Sequence, residues 1–206
     1  MTPTYWESAK KYLSEKDPIL GEIINTYPSA ESLKRVNTSF TSLVRSVIGQ
    51  QVSVKAADSI WKKVLNLVGS STPQAFIDAT DDDLRVQGLS WQKIKYVKNI
   101  AEFFQQNNVT EKYWEELSYQ EVYDQLISIK GVGPWTIEMF GIFYLLEPDL
   151  FPLADLGVQK AVNLHYLKLD KYDTKKILKV SKKWTPYRSV ATWYLWRSLD
   201  PFPVEY

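Results

Sequence analysis

The stretch LISIKGVGPWTI, residues 126–137, decides the fold of this chain. An apolar helix ends in its first residues, a Gly-Val-Gly turn follows, and Pro134 suits the first turn of a second helix. Gly131 and Gly133 allow torsions that side chains forbid and let main-chain N–H groups approach a phosphate. The N-terminus of the second helix adds the positive end of its dipole. The stretch therefore predicts a phosphate-binding hairpin of two helices or, less specifically, a tight helix–helix connection.

Helical patterns continue on both sides of this stretch. Ser118 and Glu121 have the spacing of a capping box for the helix that leads into the turn. Asp17 followed by a proline opens an earlier helix, and residues 39–50 and 90–106 carry apolar residues at helical spacing. We find no convincing alternating strand and no fixed repeat, so the predicted fold class is all-α.

The composition is that of a globular protein. The chain has 206 residues, 45% of them hydrophobic and 24% charged, which fits one large domain or two small lobes. It contains no run of about eighteen apolar residues, and its first residues lack an apolar signal core. We therefore expect no membrane span and an intracellular protein, cytoplasmic in a prokaryote or nuclear in a eukaryote.

Charge and residue counts exclude several kinds of site. The net charge of +1 is small for a protein that holds nucleic acid by bulk charge, so phosphate contacts must come from local features. The absence of cysteine excludes disulfides, thiolate zinc sites and cysteine-ligated iron–sulfur clusters, and one histidine, His165, is too few for a histidine metal cluster. Most of the eight tryptophans should pack in the core, although aromatic rings also stack on bases.

Three further stretches stand in order around the hairpin: IGQQVSV at 48–54, FPLAD at 151–155 and WTPYRS at 184–189. With residues 126–137 they resemble the helix-hairpin-helix DNA glycosylase superfamily (HhH-GPD), and the outer two resemble its 3-methyladenine DNA glycosylase II branch. The resemblance covers about the whole chain. It implies a single glycosylase domain, residues 1–206, of two helical lobes with a cleft between them.

The lobes implied by the resemblance come from separate parts of the chain. Lobe A takes about residues 1–38 and 151–206, and lobe B takes about residues 39–150 with the hairpin. The resemblance also implies that Asp155 is the catalytic carboxylate. Independently, a carboxylate there could stabilise the positive charge that forms on the sugar when the base leaves. Asp155 is also placed to cap the next helix, and both roles can coexist.

The resemblance assigns roles to two tryptophans. Trp135 stands where relatives that also cut the strand carry a lysine, which would form a Schiff base with the sugar. Water should then be the nucleophile here, without AP lyase activity. Trp135 and Trp196 would line the base pocket, where an indole face favours cationic alkylated purines. Core packing is the alternative for each.

The resemblance also implies the DNA contacts. Gln51 falls at the wedge that fills the gap left by the flipped base, supported by Gln50. Gly131, Gly133 and Thr136 would bind DNA phosphate.

Backbone carbonyls of the hairpin turn, by the same resemblance, would hold a structural Na⁺ or K⁺; they belong to Ile127, Ile129 and Val132. No cofactor should be required for catalysis, and no iron–sulfur cluster is expected.

These observations predict a monofunctional DNA glycosylase that hydrolyses the N-glycosidic bond of alkylated purines, 3-methyladenine and 7-methylguanine, in base excision repair. Its partner would be double-stranded DNA containing a damaged base, and the protein would act as a monomer. Two alternatives stay open: a glycosylase for deaminated or oxidised bases, and a non-catalytic hairpin protein that only binds DNA.

Overall fold

A computed structural model describes residues 2–27 and 32–200. Within these ranges the chain forms twelve α-helices and no strand, which confirms the predicted all-α class. The helices are α1 (Trp6–Lys16), α2 (Pro18–Thr26), α3 (Ser39–Gly49), α4 (Val54–Val68), α5 (Pro73–Asp78), α6 (Asp81–Val86), α7 (Trp91–Gln106), α8 (Tyr119–Leu126), α9 (Pro134–Phe140), α10 (Leu156–Val162), α11 (Thr174–Ser181) and α12 (Arg188–Arg197). Short 3₁₀ turns (Glu111–Trp114, Lys182–Trp184) and π-helical turns (Gly141–Leu145, Asn163–Leu167) connect some of them.

The helix starts follow from local capping chemistry. Asp17 accepts hydrogen bonds from the N–H groups of Ile19 and Leu20 at the start of α2. Ser118 and Glu121 form the predicted capping box of α8, in which each side chain bonds the backbone of the other residue. These polar side chains satisfy N–H groups that have no partner within the helix.

The structure separates into two compact units. The first contains the described residues up to Arg35 and those from Gly141 onward, and the second is Val36–Phe140. The sequence-based division assigns residues 141–150 to the lobe of the hairpin, whereas here they belong to the first unit. Contacts with residues far away in the sequence hold them there: the carbonyl of Tyr144 accepts from Arg35 Nε (2.6 Å), and that of Leu146 accepts from the hydroxyl of Tyr5 (2.5 Å).

The core of the second unit is built around α3, in which every residue except Arg45 is buried. Phe40 of this helix lies edge-on to Phe76 and to Phe104, with ring centroids 5.4 and 5.3 Å apart. Trp114 extends the cluster to Phe140, at the end of α9. The hairpin helix α9 is thus anchored in the same aromatic core as α3, α5 and α7.

The core of the first unit is also aromatic. Trp6 of α1 lies edge-on to Trp193 and stacks on Tyr194, both in α12. All eight tryptophans lie in the described ranges, and five of them are buried, as core packing predicts: Trp6, Trp61, Trp114, Trp184 and Trp193. None of the helices in the described ranges combines the length and apolar character needed to span a bilayer.

Candidate active site and nucleic-acid interface

The hairpin has the predicted form of two helices joined by a tight turn. After α8 ends at Leu126, the N–H of Ile129 bonds the carbonyl of Leu126 (3.1 Å) and the N–H of Val132 bonds the carbonyl of Ile129 (3.0 Å). Pro134 then begins α9, and the N–H of Ile137 bonds the carbonyl of Gly133 (3.1 Å). These bonds fix the turn as one rigid connection.

The two glycines of the turn serve different purposes. Gly131 has φ of 104°, a left-handed conformation, and a Cβ there would overlap the ring of Tyr96. Gly131 is therefore required for the fold of the turn. A Cβ on Gly133 would meet no protein atom within 4 Å, so nothing inside the protein demands glycine there. Gly133 instead leaves open space beside the first turn of α9.

Gln50 joins the turn after α3 to the hairpin. Its Nε2 donates to the carbonyl of Gly131 (3.2 Å) and to the hydroxyl of Thr136 (3.0 Å). Thr136 is only 1% exposed, so its hydroxyl serves this internal bond. The phosphate contact of Thr136 and the supporting role of Gln50 stay predictions; the structure shows the two side chains bonded to each other beside the hairpin turn.

Gln51 is presented at the surface in an unusual conformation. Gln51 is exposed, and its backbone has a φ of 57°, in the left-handed region that few residues other than glycine adopt. Val52 beside it is 40% exposed. Strained backbone of this kind clusters at functional sites, although Asn108, Leu146 and Lys168 also have positive φ in this chain.

The carbonyl groups of the hairpin turn divide into two sets. Asn99 Nδ2 donates to the carbonyl of Lys130 (2.8 Å), and Gln50 occupies that of Gly131. The predicted cation ligands are the other carbonyls, of Ile127, Ile129 and Val132. Ile129 uses one lone pair for the turn bond and has a second, and neutral carbonyl oxygens suit Na⁺ or K⁺. Among the described residues no group of His, Cys, Asp or Glu could hold a metal ion.

Asp155 caps α10 in the first unit, as the sequence allows. Its Oδ1 accepts from the N–H of Val158 (2.8 Å) and from Nε1 of Trp196 (2.9 Å). The indole of Trp196 also stacks on Phe143, with ring centroids 5.7 Å apart and planes at 13°. One carboxylate oxygen is therefore held by two N–H donors, and one of those donors is itself fixed by stacking.

Gly157 makes this arrangement possible. A Cβ there would lie 3.0 Å from Asp155 Oδ1 and 3.1 Å from Trp196 Cδ1, closer than side chains normally approach. Sequence reasoning missed Gly157 and Phe143; the glycine two residues after the aspartate was the available signal. The assignment of Trp196 to the base pocket stays a prediction, and the structure adds the bond from its N–H to the carboxylate.

The predicted residues thus gather in two places. Asp155 and Trp196 meet in the first unit, and Gln50, Gly131 and Thr136 meet in the second. Trp135, half-buried in the first turn of α9, belongs to the second unit.

Comparison with known proteins identifies the family. Residues 44–187 match the sequence model of the HhH-GPD superfamily of base excision DNA repair proteins. The chain belongs to the HhH-GPD superfamily. DNA-3-methyladenine glycosylase 1 of Schizosaccharomyces pombe is 33% identical over 192 residues, which is 90% of this chain and 83% of that protein.

Structure comparison gives the same family. The S. pombe 3-methyladenine DNA glycosylase Mag1 in complex with abasic DNA has a TM-score of 0.82 and 30% identity, covering 93% of this HhH-GPD chain and 96% of that chain. The Bacillus subtilis relative YfjP is 28% identical over 169 residues, 78% of this chain but 59% of that protein. The chain therefore spans less than two thirds of the length of YfjP.

Proposed function

We propose that this protein is a DNA-3-methyladenine glycosylase that hydrolyses the N-glycosidic bond of alkylated purines in double-stranded DNA during base excision repair. The observation that carries the proposal is Asp155, whose Oδ1 is fixed by the N–H of Val158 and the indole of Trp196. The names of its relatives, DNA-3-methyladenine glycosylases, support the substrate class. The presence of this fixed carboxylate speaks against a hairpin protein that only binds DNA.

Asp155 would act by charge. As the base leaves, positive charge develops on the sugar, and a carboxylate held in place stabilises that charge without rearranging. The same group can orient the water that attacks the sugar carbon. Trp196 positions the carboxylate through one oxygen, so the reacting geometry does not depend on a mobile side chain.

Water is the proposed nucleophile because Trp135 occupies the position where strand-cutting relatives carry a lysine. An indole cannot form a Schiff base with the sugar, so no AP lyase step follows. The faces of Trp135 and Trp196 are proposed to contact the extruded base, where a cationic methylated purine gains an electrostatic attraction that a neutral purine lacks. We propose 3-methyladenine as the preferred lesion and 7-methylguanine as a slower one.

DNA would be gripped through the backbone of the hairpin. The open space at Gly133 lets a phosphate approach the main chain of the turn and the N-terminus of α9. The carbonyls of Ile127, Ile129 and Val132 would hold a structural Na⁺ or K⁺ that adds positive charge there. Gln51 is proposed as the wedge that enters the stack when the base is extruded. The protein is proposed to act as a monomer.

The decisive experiment is a single-turnover excision panel. Duplexes carrying 3-methyladenine, 7-methylguanine, hypoxanthine, ethenoadenine, uracil or 8-oxoguanine are incubated with excess protein, and products are resolved with and without alkali. We expect fastest release of 3-methyladenine and strand breaks only after alkali. Preference for uracil or 8-oxoguanine would contradict the alkylation assignment, and absence of all excision would favour the DNA-binding hairpin.

A further inference from the structure

One face of α7 contacts both of the turns proposed to touch DNA. Lys93, Tyr96 and Asn99 are spaced three residues apart, so they lie along one side of the helix. Their partners belong to the turn after α3 and to the hairpin turn. None of these three residues has a role in the proposed chemistry.

Lys93 holds the end of α3. Its Nζ donates to the carbonyl of Ile48 and to the carbonyl of Gln50, both at 2.7 Å. Carbonyls in the last turn of a helix lack intrahelical partners, and a cation there also opposes the negative end of the helix dipole. The side chain is half-buried, and burial lowers the pKa of Lys93, which fits an ammonium drawn out of water toward these carbonyls.

The bond to Gln50 matters for the residue that follows. The carbonyl oxygen of Gln50 lies in the same peptide plane as the nitrogen and Cα of Gln51. Orienting that oxygen therefore orients the start of Gln51, whose own φ of 57° is in the left-handed region. Lys93 thus fixes the direction from which the Gln51 side chain leaves the backbone.

The same helix face holds the hairpin turn. The ring of Tyr96 lies where a Cβ on residue 131 would be, so it packs directly on Gly131. Asn99 Nδ2 bonds the carbonyl of Lys130 at 2.8 Å. The side chain of Gln50 closes the arrangement through the carbonyl of Gly131. The position of Gln51 relative to the phosphate-binding turn is therefore set by one rigid helix.

We propose that Lys93 is a positioning residue for base extrusion: by pinning the Gln50 carbonyl it presents Gln51 in a constant register with the hairpin turn. This inference rests on the proposed wedge role of Gln51. A wedge must enter the stack at a fixed offset from the phosphate contacts, and displacement of an active group by about 1 Å can slow a reaction roughly a hundredfold.

The test is a double-mutant cycle of Lys93→Met and Gln51→Ala. Extrusion is followed by the fluorescence of 2-aminopurine next to an abasic-site analogue, and catalysis by single-turnover excision of the best substrate from the panel. We expect Lys93→Met to slow excision about tenfold and to weaken the fluorescence change. In the Gln51→Ala background the same substitution should change excision less than twofold, because coupled residues give non-additive effects.

Two measurements separate positioning from general damage to the fold. Affinity for an undamaged duplex should stay within about twofold of the wild type, because the hairpin contacts remain. Lys95→Met removes the same charge from an exposed position of α7 and should leave both readouts unchanged. If Lys93→Met does not fold, Lys93→Gln, which keeps one donor, goes through the same cycle.

The outcomes distinguish the two assignments. If Gln51→Ala extrudes and excises like the wild type, the wedge assignment is wrong and the inference fails with it. If Gln51→Ala is impaired but Lys93→Met is not, the wedge assignment stands and the role of Lys93 is overturned. The same holds if the excision rate of the double mutant falls by the product of the two single-mutant losses.

Discussion

At the residue scale, the structural role of Asp155 can be tested separately from its charge, because the hydrogen bonds from Val158 and Trp196 both fall on one oxygen, Oδ1. Asp155→Asn keeps an oxygen that can accept from Val158 and Trp196, so α10 should remain capped. The variant loses the negative charge that would stabilise the developing cation, and we expect single-turnover excision to fall on the order of a hundredfold or more. Binding to an undamaged duplex, measured by fluorescence anisotropy, should not change. Near-normal excision would rule out a catalytic Asp155.

Trp196 tests the hydrogen bond to that carboxylate. Trp196→Phe removes the N–H donor but keeps an aromatic ring against Phe143. A hydrogen bond to a charged group is worth about 1.5–3 kcal/mol, so we expect excision to slow roughly tenfold or more, with a smaller change in affinity for lesion DNA. Trp91→Phe, at an exposed tryptophan, is the matched control. Equal rates for both variants would remove Trp196 from the positioning of Asp155.

Sequence reasoning reached some of these residue contacts and missed others. The cap formed by Asp155 was predictable because its partner, Val158, lies three residues away. The bond to Trp196 spans 41 positions, and chain distance of that size gives no local signal. The burial of Thr136 was not predictable either, because one residue in the first turn of a helix does not reveal what covers it.

At the element scale, the two glycines of the hairpin should give opposite mutant behaviour. Gly131→Ala forces a side chain into a left-handed position against Tyr96, so it should destabilise the fold by about 1–3 kcal/mol or more. Gly133→Val should fold normally yet weaken DNA binding irrespective of sequence, because it fills the space proposed for a phosphate. Thermal unfolding and anisotropy separate the two effects. A folded Gly133→Val protein with unchanged affinity would contradict the hairpin assignment.

Most elements were predictable because their signals are local. The capping box of Ser118 and Glu121 and the two glycines of the hairpin lie within a few residues of what they determine. The division between units was harder. Residues 141–150 continue directly from α9, and only distant contacts, such as Arg35 with the carbonyl of Tyr144, group them with the first unit.

At the scale of the whole molecule, a buried carboxylate links stability to pH. Asp17 is 1% exposed, and its Oδ2 receives Trp184 Nε1 (2.7 Å), the hydroxyl of Tyr166 (2.9 Å) and Lys183 Nζ (2.8 Å). Burial alone would raise the pKa of Asp17, but these donors outweigh it and hold the pKa below its ordinary value. The stabilisation is therefore complete above the ordinary carboxyl pKa and is lost as pH falls through the lowered one.

Asp17→Asn should reveal that dependence. We expect the free energy of unfolding at pH 7 to drop by about 2 kcal/mol, since charged hydrogen bonds are replaced by neutral ones. The difference from the wild type should shrink on acidification below about pH 4, because the unfolded wild-type chain then protonates Asp17 while the folded protein still holds it ionised. Urea unfolding at pH 7 and below about pH 4 measures this difference in the free energy of unfolding. Asp81→Asn, which removes an ion pair at the surface, is the control. A difference that does not vary with pH would contradict the account.

If the Gly-Val-Gly turn holds DNA as proposed, it also affects how the protein would search a genome. A grip made by uncharged main-chain groups, in a chain with a net charge of +1, displaces few counterions from DNA. The logarithm of the dissociation constant should then rise with the logarithm of salt concentration with a slope of only about 2 or 3, and a slope near 8 would refute this. Such a protein would spend little time on intact DNA. It would sample many sites in brief encounters, and its residence would lengthen only where a damaged base leaves the stack easily.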